Sequence, residues 1–171
     1  METRTRPRVV GAGTGATGKP GEAARLLGGQ TGGVLGVLQW NLPAGVLVPP
    51  HWHEHEDEIS YTLAGLVVWQ LDDQVHRTEA GTTVWRPRGS WHGLWVPREA
   101  GPARLLEVIV PGGWDAQINH FVEEILSGRL TATDFVATAA SHGVHFDLEA
   151  GRALAAKNGV VMLGDSASPA T

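Results

Sequence analysis

Short apolar runs broken by turn residues dominate the chain from Gly33 onward. GVLGVLQWNLPAGVLVPPHWH is rich in Val and Leu and is punctuated by Pro43-Ala-Gly45 and Pro49-Pro50, the texture of short strands separated by turns. EISYTL, LVVWQL, TTVW, WHGLWV and RLLEVIV follow, divided by Ala64-Gly65, Asp72-Asp73, Ala80-Gly81, Pro87 to Gly89 and Glu99 to Pro102. Strands this short and this regularly spaced predict an all-β sandwich or barrel. There is no strand-helix-strand alternation to support a parallel sheet, so a double-sheet jelly roll is the architecture the periodicity reaches.

After Pro111-Gly112-Gly113 the period changes. Ile118, Phe121, Val122, Ile125 and Leu126 recur at helical spacing, with Asp115 placed to cap the N-terminus and Gly128 to end the helix. A shorter helix is expected from Asp134 to Ser141, stopped at Gly143, and a third from Leu148 to Lys157. Before Gly33, residues Arg4 to Gly21 are rich in Gly, Thr, Arg and Pro and read as a flexible arm. The expected division is a 1–28 arm, a 29–112 β-barrel, a 113–160 helical extension and a 161–171 disordered tail ending in GDSASPAT.

Composition narrows the function classes. A chain of 171 residues suits one domain with a sizeable core. Its net charge of −5, with no basic block, argues against nucleic acid as a partner. Cysteine is absent, which removes disulfides and thiol chemistry and leaves only N and O donors for any metal. No apolar run has membrane-spanning length, and METRTRPRVVGAG lacks the apolar core of a secretory signal, so a cytoplasmic location is the default expectation.

The chemistry concentrates in GVLVPPHWHEHEDEISYTLAG. On a strand, His51 and His53 share a face while Trp52 takes the other. EHED reads as a turn, and a hairpin through it would return Glu58 to the two imidazoles. GTTVWRPRGSWHG adds His92 after a turn at Pro87 to Gly89. Three imidazoles and one carboxylate suit a divalent transition metal and, in an octahedral ion, leave two positions for water, dioxygen or a substrate oxygen. His55 has the alternation to join the set, but the turn should carry it away. By strand parity Ser60 and Thr62 share the face of Glu58, leaving room for a substrate and hydroxyls to orient it, while Leu94 points toward the metal and Trp91 and Trp95 point away.

The first stretch resembles the first cupin motif, G(X)5HXH(X)4E(X)6G, on Gly45, His51, His53, Glu58 and Gly65. The second resembles the other, G(X)5PXG(X)2H(X)3N, on Gly81, Pro87, Gly89 and His92, with Val96 in place of the Asn. The resemblance implies the cupin double-stranded β-helix, one divalent ion (Fe, Ni, Mn, Co or Zn) and pairing into a homodimer through the outer barrel surface, to which Trp91 and Trp95 could contribute. It also implies a small-molecule substrate. The leading expectation is a single-cupin oxygenase similar to the quercetin dioxygenase type, acting on a small aromatic, flavonol-like or enolisable compound, with Glu58 doubling as general base. A non-oxidative isomerase, lyase or polyketide cyclase is the alternative, and a non-enzymatic ligand-binding cupin the third.

Other features carry less. Gly13-Thr-Gly15-Ala-Thr-Gly18-Lys19 imitates a nucleotide loop, but Pro20 stands where Ser or Thr would bind magnesium, and Pro20-Gly21 does not propagate a helix. His120, His142 and His145 read as histidines of a helix face or loop.

Overall fold

A computed structural model describes residues 8–11, 14–17, 23–126 and 129–165. The imitation nucleotide loop is thereby largely outside view, since Gly13 and Gly18 to Gly21 lie beyond the described residues, as does Gly128. Two antiparallel sheets face each other. The first runs β1 (Ala24–Leu26), β2 (Gly36–Leu42), β9 (Ala103–Val110), β4 (Asp57–Ala64), β7 (Thr83–Arg86). The second runs β10 (Val144–Phe146), β3 (Val46–His53), β8 (His92–Trp95), β5 (Leu66–Leu71), β6 (Gln74–Glu79). β11 (Val161–Met162) pairs in parallel with the start of β3. This is the all-β jelly roll that the strand pattern predicts.

The connections inside the two motifs differ from expectation. β3 and β4 do not pair as a hairpin; they belong to opposite sheets, and residues 54–56 cross between them. The Pro87 to Gly89 turn likewise carries the chain from β7 in one sheet to β8 in the other, with Gly89 at φ 80°. The carboxylate of Glu58 therefore reaches the histidines across the sandwich rather than along a ladder. Charged turn sequences mark both crossings, and such sequences do not reveal which sheet the next strand joins.

A bulge phases β3. Leu47 opposes Trp95 and Val48 opposes Leu94, but His51 opposes His92, a one-residue shift at Pro49-Pro50. Leu47 and Trp95 consequently pack outward while His51 and His92 both point in. Proline lacks the N–H a ladder needs, so the pair sits where the ladder is already interrupted.

β6 went unpredicted because QVHRTE is polar on both faces, as an edge strand tolerates. β1 begins inside the expected arm. The C-terminal segment is not separate from the barrel either: α1 (Trp114–Leu126) and α2 (Ala132–Ala140) lead into β10, which pairs with the histidine end of β3. Asp115 lies in the first turn of α1 rather than at its cap, where its buried carboxylate accepts from the backbone N–H of Gly28 (2.8 Å) and Gly113 (2.6 Å). Phe121 faces the core as the spacing predicts, and Ile118 packs against it. The side chains of Val122, Ile125 and Leu126 are outside the described set. Thr131 caps α2 in a reciprocal pair with Asp134.

α3 (Leu148–Asn158), capped by Asp147 and closed by Gly159 in the left-handed conformation, packs on the outer face of the second sheet. Trp95 is 5% exposed beneath it, with Leu47, Val68, Ala155, Val160 and Met162. Core packing thus accounts for Trp95 and removes it from any dimer contact, while Trp91 is exposed. The expected disordered tail begins too early at 161, because β11 buries Met162 there. Residues 166–171 lie outside the described set. Among the described residues no helix is long and apolar enough to cross a membrane.

Met162→Ala is expected to lower stability by about 2 to 5 kcal/mol, as for other buried large-to-small changes, in urea or thermal unfolding. A loss within error would mean that the α3-β11 segment does not dock on the barrel.

Candidate metal centre

His51 and His53 near the end of β3, His92 at the start of β8 and Glu58 at the start of β4 come together in the barrel interior. Each offers one ligand atom, all within 4.8 Å of one another, and every residue of the set is buried. Among the described residues this is the group that could hold a metal ion, and its membership is the one the motifs predict.

The second contact of each imidazole fixes what the first can do. His51 donates from Nδ1 to the Pro49 carbonyl at 2.9 Å, and His92 donates from Nδ1 to the Ser90 carbonyl at 3.0 Å. His53 Nδ1 lies 3.3 Å from Glu56 Oε2. With the proton on Nδ1 in each ring, the Nε2 atoms present lone pairs. Nε2 of His92 is 3.0 Å from Glu58 Oε2, and Nε2 of His53 is 3.5 Å from Glu58 Oε1. Both nitrogens are buried without a hydrogen-bond partner, and Glu58 Oε2 beside them has only its ion pair with Arg86. Lone pairs facing a carboxylate in a dry interior are destabilising unless a cation stands between them. A three-nitrogen, one-oxygen donor set fits a divalent transition metal.

Burial pushes the His51 imidazole well below its usual range, helped by the neighbouring His92 and His53. Burial also lowers His92, against the pull of Glu58. Burial would lower His53 too, but the carboxylates of Glu58 and Glu56 outweigh it and raise its pKa. For Glu58, burial would raise the carboxyl, and the Arg86 guanidinium with the nearby histidines holds it well below the carboxylate range instead.

Three partners escaped sequence reasoning. Glu56 sits in the crossing turn, where a charged residue looks solvated, yet it is buried against His53. Arg86 is 3% exposed, its Nη1 lying 3.0 Å from Glu58 Oε2, and its Nη2 donates to Ser60 Oγ at 2.7 Å and to Glu107 Oε1. Glu107 also accepts from Trp40 Nε1 at 2.6 Å and from Ser60 Oγ at 3.3 Å. The signal was strand parity: Arg86 is in phase with buried Val84, and Glu107 with Leu105 and Ile109.

The remaining predicted residues fall as follows. Ser60 and Thr62 face inward with Glu58, but the Ser60 hydroxyl is already committed to Arg86 and Glu107. Leu94 points inward and joins the apolar cluster of Val67, Trp69, Val84 and Leu105, beyond the histidines. His55 is exposed in the turn and stays out of the group. His145 lies on β10, where it meets Glu54 at 2.6 Å and stacks on the outward-facing Trp52; His120 and His142 are exposed.

The end of the barrel opposite that apolar floor is lined by aromatic rings. Phe146 stacks on His51 with ring centres 4.6 Å apart, and Trp114 meets His53 edge-on at 6.3 Å. Phe121 and Phe135 pack behind Trp114. The C-terminal segment therefore covers the donor group and keeps bulk water from it.

Fold and donor set together define a double-stranded β-helix protein built around a buried group that could hold a metal ion. The cupin domain family model matches residues 38–109, the stretch that holds all four donor residues. Solved structures of this fold resemble it over part of their length. An uncharacterised Klebsiella pneumoniae protein with a double-stranded β-helix domain is 20% identical over 64% of this chain and 93% of that one, at a TM-score of 0.49. KdgF from Halomonas sp. is 21% identical over 49% of this chain and 76% of that one, at 0.46. DMSP lyase DddQ from Ruegeria pomeroyi is 25% identical over 46% of this chain and only 39% of its own, at 0.42. No curated protein matches the sequence.

Metal analysis should find one divalent ion per chain, lost in His92→Ala, and Glu56→Gln should weaken binding by about 10-fold or more. Unchanged metal content in His92→Ala would break the proposed ligand set. Acidity should also oppose binding: a metal on His53 displaces a proton whose affinity the carboxylates have raised, so affinity falls as pH drops through neutrality. His51 and His92, shifted the other way, compete only at lower pH. Calorimetric titration with zinc or cobalt over that range checks the sign, and pH-independent affinity would contradict it.

Proposed function

We propose that the protein is a metal-dependent enzyme of the cupin oxygenase type, acting on a small aromatic or enolisable substrate bound through oxygen beside His51, His53, Glu58 and His92. The observation that carries this reading is the convergence of unpartnered Nε2 atoms and a carboxylate under an aromatic cover. When bound, a redox-active ion would supply open positions for a substrate oxygen and dioxygen.

The protein's own groups suit such a substrate. Phe146 and Trp114 offer flat apolar surface next to the donors. Arg86 beside Glu58 Oε2 leaves Oε1 as the atom to take a proton from a substrate hydroxyl. Because the guanidinium lowers the basicity of that carboxylate, Glu58 matches acidic enols and phenols rather than simple alcohols. Ser60 would act through Arg86 and Glu107 rather than by direct contact, and Leu94 would shape the floor.

Oxygen consumption by protein loaded separately with iron, nickel, manganese or cobalt, against a panel of flavonols and diketones, tests the proposal. Uptake that requires the metal and falls at least about 100-fold in Glu58→Gln is expected, in line with losing a ligand that also moves a proton. Turnover of the same panel without oxygen, or with zinc, would replace the oxygenase reading by Lewis-acid chemistry. Tight binding with no turnover would make the protein a ligand carrier.

A further inference from the structure

Arg86 is a costly residue to bury, and nothing in the donor group requires a guanidinium. It is held on several sides. Nη1 meets Glu58, Nη2 donates to Ser60 and Glu107, and Cζ lies 4.7 Å over the ring of Trp69. Trp69 is itself fixed by its Nε1 donating to Thr78 Oγ1 at 3.0 Å. Glu107 receives donors on both oxygens, from Arg86 and Ser60 on one and from Trp40 on the other. The order of support runs from Trp40 and Ser60 on β2 and β4, through Glu107 on β9, to Arg86 on β7 and then to Glu58. Glu58 is opposite Arg86, and Ser60 opposite Glu107, in the register of the sheet, so the strands place these pairs side by side.

We propose that Arg86 is a positioning residue for the metal centre: by bridging Glu58 to Glu107 it fixes the orientation of the Glu58 carboxylate against the three imidazoles and so sets the coordination geometry the site imposes. This rests on the metal reading above. The fork of a guanidinium is needed because it must engage two carboxylates at once from a fixed place, which a single ammonium does not do. Freed from it, Glu58 could turn, bind through both oxygens or withdraw, and the same four ligands would present a different geometry.

Removing Arg86 alone would leave two buried carboxylates and add negative charge beside a dication, confounding position with charge. Two charge-conserving variants avoid this. Arg86→Lys keeps the positive charge and loses the fork; Arg86→Met combined with Glu107→Gln removes one charge of each sign. The probe is cobalt(II), read by its visible ligand-field absorption and by titration, with circular dichroism and thermal unfolding of the metal-free protein as the folding check. Both variants are expected to bind one cobalt about 10-fold more weakly, the effect usual for a partner that orients a ligand, and with shifted band positions and intensities. Folded variants with wild-type affinity and spectrum would overturn the proposal and leave Arg86 a structural ion pair. Should one variant fail to fold, the other decides. Wild-type protein that takes up no cobalt would instead overturn the metal reading itself, a distinct result.

Discussion

Lone pairs that converge in a dry interior repel one another, and the centre of this barrel is built from them. Three imidazoles have their protons committed on the far side, two of them to backbone carbonyls and one to Glu56. Their near sides face one another and a carboxylate. A fold could relieve this by rotating a ring or hydrating the cavity. Here the carbonyls and Phe146 resist rotation, and the aromatic end opposes hydration. The packing that opposes both comes from the two apolar clusters on either side of the donor group, which gives them a role beyond stability.

The bulge at Pro49-Pro50 shows how local sequence serves that centre. Without the one-residue shift, residues in phase with Leu47 would continue on the outer face and His51 with them. With it, β3 contributes Leu47 to the surface beneath α3 and, a few residues later, two histidines to the interior. One strand thus satisfies an outer helix and an inner site. The same strand end also recruits β10, which delivers Phe146 opposite His51. The C-terminal segment is therefore part of the site's wall rather than an appendage, although nothing in its own sequence announces that it returns to the barrel.

What the sequence disclosed followed from spacing. His51, His53, Glu58 and His92 were readable because ligand positions must recur at fixed intervals along short strands, and the strands themselves because apolar runs alternate with turn residues. What it withheld depends on pairing. The EHED turn looks the same whether it closes a hairpin or crosses between sheets, and only the partners of β4, which are β7 and β9, decide. β6 was hidden because an edge strand needs no apolar face. Glu56 was hidden because burial of a turn carboxylate comes from distant elements. Met162 was hidden because two residues of strand leave no period to detect.

Arg86 and Glu107 stand between these cases, since a charged residue in the inward phase of an apolar strand is legible from the alternation alone. Their burial bears on what Glu58 can do. A carboxylate meant chiefly as a strong base would be placed among apolar groups, where desolvation raises its proton affinity. Glu58 is desolvated, yet the guanidinium reverses that effect and keeps it ionised. The arrangement favours holding a cation over holding a proton.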